Sequence, residues 1–107
     1  MFTKNELKVF GNRLSDSKQR AKKKKWDHSL TKDDIGQMYL QSGGRCPYTK
    51  MDFILEAKNP HNISVDRIDS SKGYVKENCM LVSTWANKAK TDLPRETFIE
   101  LCKKVAA

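Results

Sequence analysis

Residues 62–90 constrain the fold of this chain more than any other stretch. Ile63, Val65 and Arg67 alternate with Ser64 and Asp66, the period of a short strand. Ser70-Ser71-Lys72-Gly73 is turn chemistry, in which Gly73 can take a positive φ. Cys79-Met80-Leu81-Val82 reads as a second strand, and Ser83 or Thr84 can cap a helix that runs through Lys90. Strand, turn, strand and helix make a ββα unit. In such a unit a strand end and the following helix meet at one point, so Asp66 and Asn87 are placed to share a metal ion.

The flanking segments read as helices. Thr3-x-x-Glu6 is a capping box, and Leu7, Phe10, Leu14 and Ala21 fall on one helical stripe that continues into Lys18–Lys25. Gly11 weakens that helix without forbidding it. Thr31 and Asp34 pair to cap a second helix with Ile35, Met38 and Tyr39 on its apolar face, stopped by Gly43-Gly44. Asp92-Leu93-Pro94 breaks the chain before a last helix with Phe98, Leu101, Cys102 and Val105 on one face. The class expected is α+β: a small ββα core with flanking N- and C-terminal helices. The spacing divides it into a basic helical arm at 1–28 and a domain at 29–107, together one compact unit.

At 107 residues the chain has room for a single modest core. Charged residues are 32% of it and the mean hydropathy is −0.75. No apolar run approaches the roughly 18 residues of a membrane span, and the N-terminus shows no apolar signal stretch. These features lead us to expect a soluble, cytoplasmic protein. The net charge is +8, and residues 1–28, with nine basic and three acidic side chains, carry +6 of it. Such asymmetry points to a polyanion. Nucleic acid is favoured over a membrane because no strong apolar helix face accompanies the basic run.

Cys46, Cys79 and Cys102 are odd in number and far apart, so they form no disulfide framework. With no Cys-x-x-Cys pair, the sequence argues against structural zinc and for free thiols.

A carboxylate and a carboxamide ringed by lysines suit one hard cation and a phosphate. Mg²⁺ takes a few protein oxygens, keeps several waters and accepts phosphate oxygens. One charged ligand, Asp66, and one neutral ligand, Asn87, leave net positive charge to stabilise a phosphoryl transition state. Spacing alone leaves the plainer reading open, with Asp66 as a turn cap and Asn87 as a solvated helix residue.

Residues 20–105 resemble small phage-type HNH endonucleases of the ββα-metal class. The pattern runs through Arg20-Ala21-Lys22-Lys23-Lys24, Ser29-Leu30-Thr31, Cys46-x-x-Thr49, Val65-Asp66-Arg67-Ile68-Asp69, Lys72-Gly73-Tyr74, Glu77-Asn78, and Asn87 with Lys90. The resemblance implies an HNH-like fold and Mg²⁺- or Mn²⁺-dependent cleavage of DNA phosphodiesters, on duplex or branched DNA. It also implies metal ligands at Asp66 and Asn87, and a loop-ordering role for Asn78 that holds the catalytic residue. Two copies would be needed to cut both strands.

Two departures from the pattern stand out. Arg67 occupies the position of the family's general-base histidine, and a guanidinium stays protonated, so it suits a phosphate clamp and not a base. The arginine-bearing pattern recurs in phage-type members. Thr49 stands where paired-cysteine relatives carry the second cysteine, which weakens a zinc site further. His61 and His28 are the alternative bases, each better read as a loop or structural residue. Arg20, Lys22, Lys23, Lys24, Lys25, Lys72, Lys88 and Lys90 are the expected DNA contacts, with a solvated helix end as the plain reading of the lysine run. Trp26 and Trp85 read as core packing before base stacking, and Asp69 as a turn cap. Arg67 also keeps open a catalytically silent nucleic-acid-binding domain.

Overall fold

Reciprocal caps start the first two helices. In the structure, a computed structural model that describes residues 1–107, Thr3 Oγ1 accepts from Glu6 N (3.0 Å) while Glu6 Oε1 accepts from Thr3 N (2.8 Å). Helix α1 follows over Lys4–Lys24 and ends at Lys25, which adopts φ +60°. Thr31 and Asp34 repeat the arrangement at 3.1 and 2.9 Å to open α2, Lys32–Gln41. Gly43 and Gly44, at φ +65° and +76°, turn the chain away from α2.

Strand β1 (Ile63–Arg67) pairs antiparallel with β2 (Cys79–Ser83), with Asp66 opposite Met80 and Arg67 opposite Cys79. A short 3₁₀ turn, Lys76–Asn78, precedes β2. Helix α3 (Thr84–Lys90) follows directly and packs on both strands, while α4 (Arg95–Ala106) closes the chain. The expected ββα unit is present, with helices on both sides.

Helix α1 packs on α2 and β1, and α2 packs on β2. Val9, Phe10 and Ala21 of α1 share one apolar cluster with Ile35, Phe53, Ile63, Val65, Leu81 and Val82. Cys46 joins it and anchors the sheet: its Sγ accepts from Ser83 N at 3.3 Å. No helix is long and apolar enough to cross a membrane.

Three details differ from the sequence expectation. Ser64 and Asp66, the polar positions of β1, are buried along with Ile63 and Val65 because α3 covers their face of the strand. Gly73 does not adopt a positive φ. It is required by close approach, since a Cβ there would stand 2.2 Å from the Asp27 carbonyl oxygen. On α4 only Phe98 is buried, edge-on against Tyr48 at 5.2 Å, while Leu101, Cys102 and Val105 stay exposed. The first turn of α4 reaches the body and the later turns do not.

Candidate active site

Strand period and helix period meet at the join of β1 and α3. Ser64 and Asp66 lie two apart on one face of the strand, and Asn87 and Lys90 lie three apart on one face of the helix. The pairs match one to one. Asn87 Nδ2 donates to Ser64 Oγ at 2.7 Å, and Lys90 Nζ donates to Asp66 Oδ1 at 3.4 Å. Lys90 Nζ is also 3.4 Å from Asp66 Oδ2, without the alignment of a hydrogen bond, so Oδ2 is buried and unbonded. Asp66 is 4% exposed and Lys90 2%. Burial raises the Asp66 pKa above its ordinary 3.8, and the charges of Lys90 and Arg67 pull against that rise.

Arg67, at the end of β1, is held on three sides. Its guanidinium lies 3.4 Å over the centre of the Trp26 ring, and Nη1 donates to the carbonyls of Ser70 (2.7 Å) and Lys72 (2.9 Å). Nε and Nη2 make no hydrogen bond within the protein, which leaves three N–H donors for an anion. Trp26 is itself fixed by Tyr74, 6.1 Å between ring centres. Tyr74 in turn is clamped to the 27–30 connection by hydrogen bonds with Asp27, Ser29 and Leu30.

Asn78 braces the loop after β1. Its Oδ1 accepts from Asp69 N (2.9 Å), its Nδ2 donates to the carbonyls of Asp69 (3.0 Å) and Gly73 (2.9 Å), and its own carbonyl accepts from Ile68 N (2.8 Å). Asp69 caps the following turn, accepting from Ser71 N (2.9 Å) and Ser71 Oγ (2.6 Å); those bonds hold its carboxyl below the usual range.

These elements surround an open cavity of about 260 Å³ lined by Arg20, Asp66, Arg67, Asn87, Lys88 and Asp92, with Trp26 beside Arg67. The residues fit a hard divalent cation: Asp66 offers a buried carboxylate oxygen with no hydrogen bond, and Asn87 has committed only its amide nitrogen, leaving Oδ1 as a ligand atom. No group of three or more His, Cys, Asp and Glu side chains that could hold a metal gathers anywhere in the structure, the cavity included.

No protein-family model matches the chain, and no curated protein matches it in sequence. Among solved structures it is similar to the rare-cutting HNH restriction endonuclease PacI, with a TM-score of 0.68 over 90% of this chain and 75% of the other, at 20% identity. The chain shares the HNH fold of that protein. Its ββα unit carries Asp66, Arg67, Asn78 and Asn87.

The other expected residues separate. Arg20 and Lys88 are exposed and line the cavity, and Lys22–Lys25 are exposed at the end of α1. Lys72 is exposed and lies 4.0 Å from Asp69. Lys90 is a correction: it is sealed against Asp66 and has no surface to offer DNA. Neither histidine lines the cavity. His28 Nε2 is 2.8 Å from Ser17 Oγ, and burial, with the Lys18 charge, lowers its pKa. His61 sits in the 59–62 turn, its backbone N donating to Asn59 Oδ1 at 2.9 Å. Asp92 was missed, because a carboxylate before Leu93-Pro94 reads only as a helix break. So was the Trp26–Arg67 stack, which joins residues 41 apart in sequence.

Proposed function

We propose that this chain is a divalent-metal-dependent, HNH-type DNA endonuclease that nicks one strand per active site. The observation that carries this reading is the shared cavity: Asp66 and Asn87 as ligand pair, Arg67 as anion clamp, and Arg20 and Lys88 on the rim. PacI, which shares the fold, is an HNH restriction endonuclease, and the +8 charge suits a phosphate backbone.

Asp66 and Asn87 would hold Mg²⁺ or Mn²⁺. The ion, when bound, supplies Lewis-acid stabilisation of the phosphate and a water of lowered pKa. Arg67 presents its free Nε and Nη2 to the scissile phosphate, and the Trp26 face keeps the guanidinium plane in position. Lys90 holds the Asp66 carboxylate in one orientation. Asn78 fixes the loop whose carbonyls anchor Arg67. Asp92 is the one carboxylate besides Asp66 at the cavity, and on this reading it would take a proton from the attacking water. We infer a phage or mobile-element origin and action in the host cytoplasm from the resemblance to phage-type nucleases. Two copies would be required to cut both strands.

The test is nicking of supercoiled plasmid with Mg²⁺ or Mn²⁺ and an EDTA control. Asp66→Ala and Asn87→Ala should each abolish nicking, with circular dichroism checking the fold because Asp66→Ala strands the buried Lys90 charge; activity persisting in both removes the metal assignment. A second reading, a silent DNA-binding domain, is favoured by the absence of histidine from the cavity. Binding without cleavage of plasmid, duplex and branched DNA, with each metal, would select it.

A further inference from the structure

A second concavity continues from the active cavity along β1 and α3. A narrow groove lined by Arg13, Arg20, Ser64, Thr84, Asn87 and Lys88 shares Arg20, Asn87 and Lys88 with the cavity. Beyond it opens a cleft of about 310 Å³ bordered by Arg13, Lys58, Asn59, Thr84, Trp85 and Lys88. Three cations line this cleft and no carboxylate does. Asp16, the one acid of the connecting groove, is already paired with Arg13 at 3.2 Å.

Trp85 is the unexpected element. It does not join the core cluster and is 40% exposed, although it is the largest side chain of α3. Its backbone is held: the Trp85 N donates to the Pro60 carbonyl (3.2 Å) and Thr84 Oγ1 donates to the Asn62 carbonyl (3.0 Å), and the residue also borders an apolar groove with Tyr48 and Phe98. A half-exposed indole on a held backbone, in a cleft with three cations, has the chemistry of a nucleotide seat, with a face for a base and charges for its phosphates.

We propose that this cleft binds an unpaired nucleotide of a single-stranded DNA segment next to the scissile phosphate, with the base stacked on Trp85 and the backbone followed by Arg13, Lys58 and Lys88. Bases in an intact duplex are stacked on one another and cannot reach a concave seat without being extruded, so the cleft selects DNA that already carries an unpaired strand, such as a flap or branch. The proposal rests on the nuclease reading above and names its substrate class.

The experiment uses the full chain in EDTA, so that binding is read without cleavage. Fluorescence anisotropy compares a continuous duplex with the same duplex carrying a single-stranded flap. Stacking of ordinary strength gives a Kd ratio of at least about fivefold in favour of the flap. Trp85→Ala should bring that ratio close to one, Trp85→Phe should keep most of it, and Lys58→Glu should reduce it. A wild-type ratio near one, or a ratio that Trp85→Ala leaves intact in protein still folded by circular dichroism, overturns the proposal. The two readings fail separately. Plasmid nicking without flap preference sinks the cleft and keeps the nuclease; flap preference without nicking by any metal does the reverse.

Discussion

Lys90 Nζ stands 3.4 Å from each of the two carboxylate oxygens of Asp66, and both side chains are buried. Breaking a buried pair strands one charge and costs about 3–5 kcal/mol, far more than a surface pair contributes. Lys90→Met is therefore expected to destabilise the metal-free protein by that order. A divalent ion at Asp66 then becomes the replacement partner, so Mg²⁺ should raise the Tm of Lys90→Met more than that of the wild type. Equal shifts in differential scanning fluorimetry would show that the ion does not bind at Asp66.

Asp66 also sets a pH dependence. Burial raises its folded pKa above 3.8, so its contribution to stability is fully present below the ordinary value and is lost as the pH rises through the folded one. A divalent ion takes the charged carboxylate, so ion uptake should release a proton in the window above 3.8 and weaken as the pH falls through it. Calorimetric titration in two buffers of different ionisation enthalpy reads this directly. Heats identical in both buffers across that window would contradict the assignment.

Arg67 is stacked, forked and tied to two carbonyls, a geometry that a lysine ammonium does not reproduce. Single-turnover nicking should fall about 100-fold or more in Arg67→Lys and Arg67→Ala, the scale of a lost transition-state donor. Arg67→His should also lose activity; a gain would mean the position wants a base. Asp92→Asn is expected to cost roughly 10²-fold, the scale of a lost general base. An unchanged single-turnover rate would take Asp92 out of proton transfer.

Gly73 tolerates no side chain, because a Cβ would meet the Asp27 carbonyl oxygen at 2.2 Å and the Asp27 nitrogen at 2.8 Å. Backbone must shift to relieve this, so Gly73→Ala should lower stability by about 2 kcal/mol or more. It should also loosen the Tyr74–Trp26 support under Arg67. Urea unfolding measures the first effect; a midpoint equal to wild type would refute it.

The run Lys22–Lys25 is exposed at the end of α1. Replacing all four with Gln should flatten the slope of log K against log salt by about 0.9 for each phosphate that the lysines neutralise. If the slope does not move, the run is only a solvated helix end.

Sequence alone determined the local features here. Caps at Thr3 and Thr31, stops at Gly43-Gly44, and the alternation over Ile63–Arg67 all depend on neighbours a few residues apart, so they are written in the order of the chain. The ββα unit, with strand, turn, strand and helix over 62–90, followed from the same short-range rules, and its likeness to HNH nucleases from the order of the motifs along the chain. What the tertiary structure decided depended on distant partners: the sealing of Lys90 against Asp66 across 24 positions, the seating of Arg67 on Trp26, and the exposure of Trp85 and of most of α4. A lysine three residues after Asn87 reads as surface charge until a strand lies over it. Burial and charge pairing belong to the packed elements together, and no local pattern encodes them.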